Sequence, residues 1–379
     1  MTCRILIVTT DSKICGTESM ILTLLKHLHR EPYQPYLVTL MGPGDLIQAA
    51  KEYGIDGQNL GLTRRQLVQG FFSFHKIIKT VKPDIIHSFL IHSNLYARAT
   101  KFFHRNLSVI SGIRTVYTVK DYGKLYGWVE RLSHPLDNFY VANSQHGLQS
   151  VIDHIGLPKE KLLMIHNGLD LENFESFDPT PSRESIRKEV RFEFAIKDQA
   201  LVMGIVAQLR PPKRHDLLLL ALAKLKDRYP LLHLLIVGQG QIQTDLKNLA
   251  VNKGIENRVV FTGYRADVSR ILHGMDIFAL PSVVEGLPVS IMEAMYAELP
   301  VVAARVGGIP EVVSAGESGL LCEPGNLDDL CQALIRLIES PELRIKMGAA
   351  GKERIRSQFS AEHMARRFES LYDRCMKNR

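Results

Sequence analysis

Short apolar runs recur along this chain, and most are followed by a stretch with helical spacing. Residues 4–9 (RILIVT) have the pattern of a buried strand, and residues 18–30 then carry Ile21, Leu24, Leu25 and Leu28 at intervals that share one helix face. The alternation continues through a strand at 36–40, helices at 45–53 and 65–81, a strand at 84–88 behind Pro83, and a helix at 92–103. Strands at 108–112 and 139–143 follow. Such alternation demands a parallel sheet with helices on both faces, because every strand must be re-entered from the same end. The second half repeats the scheme, with strands expected at 201–207, 232–237, 259–261, 277–280, 300–303 and 320–322. Between the halves, residues 167–182 hold Asn-Gly, two prolines and little periodicity, which marks a connection. The expected fold is α/β, with two doubly wound domains facing across a cleft: an N-terminal domain at 1–170, a linker at 171–195 and a C-terminal domain at 196–358. A helix at 359–379 is expected to pack back towards the N-terminal domain through Met364, Phe368, Leu371 and Tyr372. Ligands of such sheets bind outside the carboxyl ends of the strands.

A chain of 379 residues is long enough for two separate cores. Its 45% hydrophobic and 23% charged residues exclude a disordered or collagen-like chain. The longest purely apolar run, 217–223, is far short of the ~20 residues that span a bilayer. The first residues enter a strand at once, so no signal peptide is expected. The five cysteines, Cys3, Cys15, Cys322, Cys331 and Cys375, are odd in number and contain no CxxC pair. They point to a reducing, cytoplasmic compartment without disulfides and without a zinc site. The net charge of +7 is concentrated early: residues 1–170 hold 19 basic and 13 acidic residues. That bias suits an anionic partner such as a membrane surface.

The most informative stretch is 281–325. A strand ends at Pro281, Glu285 follows on the loop, and Gly286, Leu287 and Pro288 open a helix that begins at Val289. A helix start presents free amides and a partial positive charge, which makes it an anion site. Glu293 lies inside that helix among Ile291, Met292, Ala294 and Met295. A carboxylate there needs hydrogen-bond donors, and the hydroxyl groups of a ligand would supply them.

Taken together, several segments resemble retaining glycosyltransferases of family 4, whose GT-B architecture has two Rossmann-like domains. Glu285-x7-Glu293 is followed by Pro300-Val301-Val302, Gly307-Gly308-Ile309-Pro310-Glu311 and Gly319-Leu320-Leu321, as in the C-terminal half of that family. Cys15-Gly16-Thr17-Glu18 is similar to its Gly-Gly-x-Glu loop, and the segment from Val206 to Lys213 to its Gly-Arg-Leu-x-x-x-Lys segment. Ile236-Val237-Gly238-Gln239-Gly240 and Phe261-Thr262-Gly263-Tyr264 fit its later turns. The resemblance covers the whole chain.

The resemblance implies roles. Glu285 contacts the donor sugar, Glu293 the ribose hydroxyls and Lys213 the diphosphate of a nucleotide sugar, UDP-linked by expectation. Further donor contacts are expected at Gly16, Gln208, Arg210, Gly238, Gly240, Gly263, Gly286, Leu287 and Val289. Gln208 stands where the family has arginine, which leaves Arg210 or Arg214 to replace the cation. Residues 84–94 resemble the family's His-x-His strand end, with Phe89 in place of the second histidine. His87 and His92 are the histidine candidates near the reacting sugar. Arg114 and Asn143 are expected on the acceptor side. Cationic side chains and helix amides stabilise a leaving diphosphate without a metal, and no Asp-x-Asp pair follows a strand. No cofactor and no metal are expected. The expected partners are a nucleotide sugar, a glycan or lipid-linked acceptor in polysaccharide or glycolipid assembly, and an anionic membrane touched peripherally.

Other readings make different demands. A nucleotide-sugar 2-epimerase shares the architecture and needs acid–base groups around C2 and C3, for which there is no further carboxylate pair. A nicotinamide-dependent dehydrogenase needs Gly-x-Gly-x-x-Gly after its first strand, where this chain has Thr9-Thr10-Asp11-Ser12. A nucleic-acid binder would use the positive charge, but aromatic–basic interleaving is missing. A non-catalytic nucleotide-binding protein remains as the alternative from a different class.

Overall fold

The computed structural model describes residues 2–114, 128–175 and 182–377. The chain divides into two compact units. One is Met1–Gly168 with Ala361–Arg379, and the other is Leu169–Ser360. Among the described residues no helix is long and apolar enough to cross a membrane.

Among the described residues the first unit is built on seven strands: β1 (Cys3–Thr9), β2 (Tyr33–Thr39), β3 (Gly57–Asn59), β4 (Ile85–Phe89), β5 (Ser108–Ile113), β6 (Phe139–Ala142) and β7 (Leu162–Met164). They form one sheet in the order β3-β2-β1-β4-β5-β6-β7, and every pairing is parallel. Alternation along β1 shows why both faces are covered. Cys3, Ile5 and Ile7 enter a core shared with the helices Gly16–His27 and Ala361–Lys377. Leu6 and Val8 point the other way, into a core with Phe74, Ile77 and Ile78 of the helix Leu67–Val81 and with Tyr96 and Ala97 of the helix Ile91–Thr100. The C-terminal helix contributes Met364, Phe368, Leu371, Tyr372 and Cys375 to the first of these cores.

The second unit has six parallel strands: β8 (Leu201–Val206), β9 (Leu232–Val237), β10 (Val259–Gly263), β11 (Ile277–Leu280), β12 (Val301–Ala304) and β13 (Gly319–Cys322). Their order is β10-β9-β8-β11-β12-β13. The expected linker at 171–195 is corrected here, because this segment belongs to the second unit and contains the helix Arg183–Glu193. Ser182 caps that helix by accepting from the Ser185 amide, and Ile186 and Val190 are buried. Arg191 is also buried, donating to the carbonyls of Gly274 and Ala200 and to the Asp276 carboxylate. The helix is rich in charge, which makes it read as solvated in the sequence. Its arginine is consumed inside the fold.

In each sheet the chain order reverses at one point, between β1 and β4 in the first unit and between β8 and β11 in the second. Loops leaving the two strands at such a point diverge and open a crevice at their carboxyl ends. In the first unit these loops lead into the helix starts that hold Gly16 and His92, and in the second they carry Lys213 and Glu285.

Candidate active site

The loop after β8 ends in the tight turn Pro211–Lys213, and the loop after β11 covers residues 281–288. The Val283 amide donates to the Pro212 carbonyl at 2.9 Å, which ties the two loops together. Lys213 Nζ then donates to Glu285 Oε1 at 2.6 Å. Glu285 is 7% exposed and Lys213 28%. A buried carboxylate is thus neutralised by a cation that still reaches solvent, in a charge-assisted hydrogen bond. Pro288 precedes the helix Val289–Tyr296, whose first amides lack intrahelical partners. Leu287 is buried, while Gly286 and Val289 are partly exposed. The arrangement places a cation, a carboxylate and a helix start around one loop.

A pair of glycines after β12 holds that loop. Gly307 has φ +55, and a Cβ built on it would lie 1.8 Å from the Glu285 carbonyl oxygen. The Gly308 amide donates to the Gly286 carbonyl at 2.6 Å. Only glycine permits this approach, so the backbone bearing Glu285 rests directly on residues 307–308. Gly307 and Gly308 stand in the Gly-Gly-Ile-Pro-Glu motif, which by itself assigns them no task. The signal was available: two glycines directly behind a buried strand mark a close backbone approach.

Glu293 is partly exposed on the helix Val289–Tyr296, and among the described residues no side chain donates to its carboxylate. Burial of the carboxyl group pushes its pKa up to about 7. The neighbouring glycine turns pack by the same device as Gly307. A Cβ on Gly238, at φ +138, would meet the Ala207 carbonyl at 2.1 Å, and one on Gly240 would meet the Leu209 carbonyl at 2.3 Å. The Gly238 amide donates to the Gly263 carbonyl. These three glycines join the loops after β8, β9 and β10 into one surface.

The two arginines proposed to replace the family cation have different fates. Arg214 is held by Asp216 through its Nε and Nη2, at 3.0 and 2.8 Å. Arg210 is exposed, as is Gln208. His215, in the first turn of the helix His215–Leu225, is fully buried. Burial, with the nearby Lys213, takes its pKa down to about 4, so it is neutral.

The remaining candidates belong to the first unit. A Cβ on Gly16 would meet nothing within 4 Å, so space is open there. His92 lies partly exposed in the first turn of the helix Ile91–Thr100. Leu90 just before it has φ 72 and ψ 163, a conformation that favours glycine and that persists only where surroundings impose it. His87 departs from its expectation. It sits in β4 between Ile7 of β1 and Ile110 of β5 and has no exposed surface. Its Nδ1 is hydrogen-bonded to the Tyr372 hydroxyl at 2.8 Å, and Phe89 and Phe368 pack on its ring. Burial holds its pKa well below the usual value. His87 is thus a neutral histidine enclosed under the C-terminal helix, with no surface open to solvent.

Arg114 closes β5. It is 8% exposed and lies over the Phe89 ring at 4.7 Å. Nη1 donates to Asn167 Oδ1 at 2.9 Å, whereas Nε and Nη2 have no partner among the described residues. Burial brings its pKa down to about 9. Asn143, behind β6, is buried as well.

With this geometry in place, comparison with known proteins is informative. Residues 14–173 match the family model for Glycosyltransferase Family 4, and residues 186–354 match the model for Glycosyl transferases group 1. The chain is 28% identical over 232 residues to N-acetyl-alpha-D-glucosaminyl L-malate synthase of Bacillus anthracis, covering 61% of this chain and 58% of that one. It is 25% identical over 316 residues to UDP-Gal:alpha-D-GlcNAc-diphosphoundecaprenol alpha-1,3-galactosyltransferase of Escherichia coli, covering 80% of this chain and 79% of that one. The chain thus spans less than two thirds of the length of several curated relatives that it matches. In fold it is similar to Anabaena Alr3699/HepE in complex with UDP. The TM-score is 0.85 at 21% identity, and the match covers 98% of this chain and 99% of that one. That likeness establishes the two-domain GT-B fold. One family model over each half, the motifs in order and the shared fold agree: the chain belongs to the glycosyltransferases of family 4.

Proposed function

We propose that the protein is a retaining, metal-independent glycosyltransferase that moves a sugar from a UDP-linked donor to a glycan or lipid-linked acceptor. The observation that carries this reading is the Lys213–Glu285 pair, poised at the chain reversal of the second sheet beside the start of the helix Val289–Tyr296. Support for the donor comes from the similar Anabaena protein, which holds UDP, and from the Escherichia coli relative, whose name gives UDP-Gal and a lipid diphosphate acceptor.

Breaking the bond from sugar C1 to a phosphate oxygen leaves negative charge on the diphosphate and positive charge at C1. Groups that meet these charges only as they develop lower the barrier. Lys213 and the helix amides would hold the diphosphate, and Arg210, exposed where Arg214 is already paired, would add the cation that Gln208 lacks. Glu285, held close by residues 307–308, would face the sugar. Glu293 would accept from the ribose hydroxyls. In the first unit, His92 and Gly16 are the candidates for donor contacts, and Arg114 and Asn143 the candidates for acceptor contacts. Arg114 suits an acceptor bearing an anionic group, because a buried guanidinium with two unpaired nitrogens gains most from an oxyanion. On this reading the protein would act in polysaccharide or glycolipid assembly on the cytoplasmic side, with a peripheral membrane contact.

Transfer from a panel of nucleotide sugars, with and without excess EDTA, tests this. A UDP-sugar should be turned over and EDTA should leave the rate unchanged. Lys213→Ala should lower turnover by about 10²-fold or more, the scale of one lost cation at a developing charge. Loss in EDTA that Mg²⁺ restores would overturn metal independence. A Lys213→Ala rate within a few-fold of the parent would remove Lys213 from the diphosphate.

A further inference from the structure

Between Asp56 and Asp121 the chain carries ten basic residues and one acidic residue, Asp84. Asp84 is 8% exposed and is consumed by Arg4, accepting from its amide at 2.8 Å. Two segments of this acid-poor stretch meet on one face of the first unit. The helix Leu67–Val81 lies beside the end of the helix Ile91–Thr100 and the residues after it. The Phe71 and Phe103 rings are 6.3 Å apart, His75 and Phe103 5.2 Å, and His75 and His104 5.1 Å.

The outer surface of this pairing is unusual in two ways. It exposes large apolar side chains, with Phe72 76% exposed, Phe102 73% and Phe103 66%. It surrounds them with the exposed cations Lys76, Lys79, Lys82 and Arg105. A cavity of about 660 Å³, lined by Arg4, Lys79, Lys82, Phe102, Phe103 and Arg105 among others, opens there at the amino ends of β1, β4 and β5. None of these side chains has a task in the sites above, which lie at the carboxyl ends of the strands. Phe72, Phe102 and Phe103 leave most of their surface to water even though one edge of Phe103 meets Phe71 and His75, and such an apolar exposure costs solubility.

We propose that this face docks on an anionic lipid bilayer. Aromatic side chains enter the boundary between headgroups and acyl chains, while lysine and arginine meet the negative surface potential. The charge complementarity selects this occupant, since the exposed charged residues lining the cavity, Lys79, Lys82 and Arg105, are all positive, and its one carboxylate, Asp84, is buried. Docking names the partner of the peripheral contact in the proposed function and rests on that reading, while vesicle binding is measured apart from sugar transfer.

Co-sedimentation of the full chain with vesicles tests it. The protein should pellet with phosphatidylcholine vesicles containing about a third phosphatidylglycerol, stay in solution with pure phosphatidylcholine, and be released by 0.5 M salt. Phe102→Ser with Phe103→Ser should weaken binding at least ten-fold. Lys79→Gln with Lys82→Gln should weaken it about five-fold for each cation. The same charge loss in the second unit, at Lys188 and Lys253, should change it less than two-fold. UDP affinity, measured on every variant, should stay at the parent value, which separates loss of docking from loss of fold or of nucleotide binding. No pelleting on anionic vesicles, equal pelleting on neutral ones, an undiminished phenylalanine variant, or capture of the protein by a polyanionic RNA but not by vesicles would each overturn the proposal.

Discussion

Glu285 and Glu293 are eight residues apart in sequence, and the fold gives them different surroundings. Glu285 is buried and bonded to Lys213, whereas no described side chain donates to the Glu293 carboxylate. Glu285→Gln should therefore reduce the chemical step with UDP affinity little changed. Glu293→Gln should weaken UDP by about 1–3 kcal/mol, the scale of a charge-assisted hydrogen bond. Calorimetric UDP binding beside steady-state turnover checks both, and equal losses of affinity would mean the two are assigned to the wrong ends of the donor. Glu293 also makes a prediction about pH. In the folded chain it keeps its proton to about pH 7, while the ordinary value is 4.5. Between these values the folded state binds more protons, so stability falls as pH rises from about 4.5 to 7 and stays lower above that. Glu293→Gln removes the effect. At pH 8 the variant should be more stable than the parent by about 1–3 kcal/mol, and at pH 4 the two should converge. Melting curves at the two pH values decide it. Equal stability at pH 8 would show that the carboxylate carries no burial penalty.

Among elements, the loop at 281–288 depends on a neighbour from another part of the chain. Gly307 and Gly316 both have positive φ, so alanine costs backbone strain of about 1–3 kcal/mol at either. Only at Gly307 would the added Cβ strike the Glu285 carbonyl, while at Gly316 it meets nothing within 4 Å. Gly307→Ala should shift the loop and lower turnover at least ten-fold, since small misplacements of catalytic groups are costly. Gly316→Ala should lower stability alone. Comparing turnover with melting temperature for the pair separates the two effects, and equal turnover in both variants would show that residues 307–308 do not position Glu285.

At the scale of the whole molecule, the chain's last helix completes the first unit. Ala361–Lys377 fills its core with Met364, Phe368, Leu371 and Tyr372, and Tyr372 bonds to His87. A chain ending at Ser360 should lose the cooperative unfolding of residues 1–168, because several large buried side chains go at once and each costs about 2–5 kcal/mol. The second unit, whose core contains none of these side chains, should keep its hydrogen-exchange protection and bind UDP. Loss of protection in both units together would contradict their independence.

Local pattern determined much of this protein. The apolar runs of β1 and β11 and the helix start at Val289 were legible because alternation and breakers act within a few residues. β3 and β7 escaped notice, being three residues each and held by a neighbouring strand rather than by their own composition. Chemistry-bearing residue types were legible as well, but that Lys213 donates to Glu285 is visible only in the fold. Tertiary structure alone decided which titratable groups are spent. Arg214 is taken by Asp216, His87 by Tyr372 and Arg191 by Asp276, while Arg114 is buried with two nitrogens unpaired among the described residues. Their partners come from two to 285 residues away. Burial and pairing are properties of neighbours in space, and a side chain's charge says nothing of either until the chain has folded.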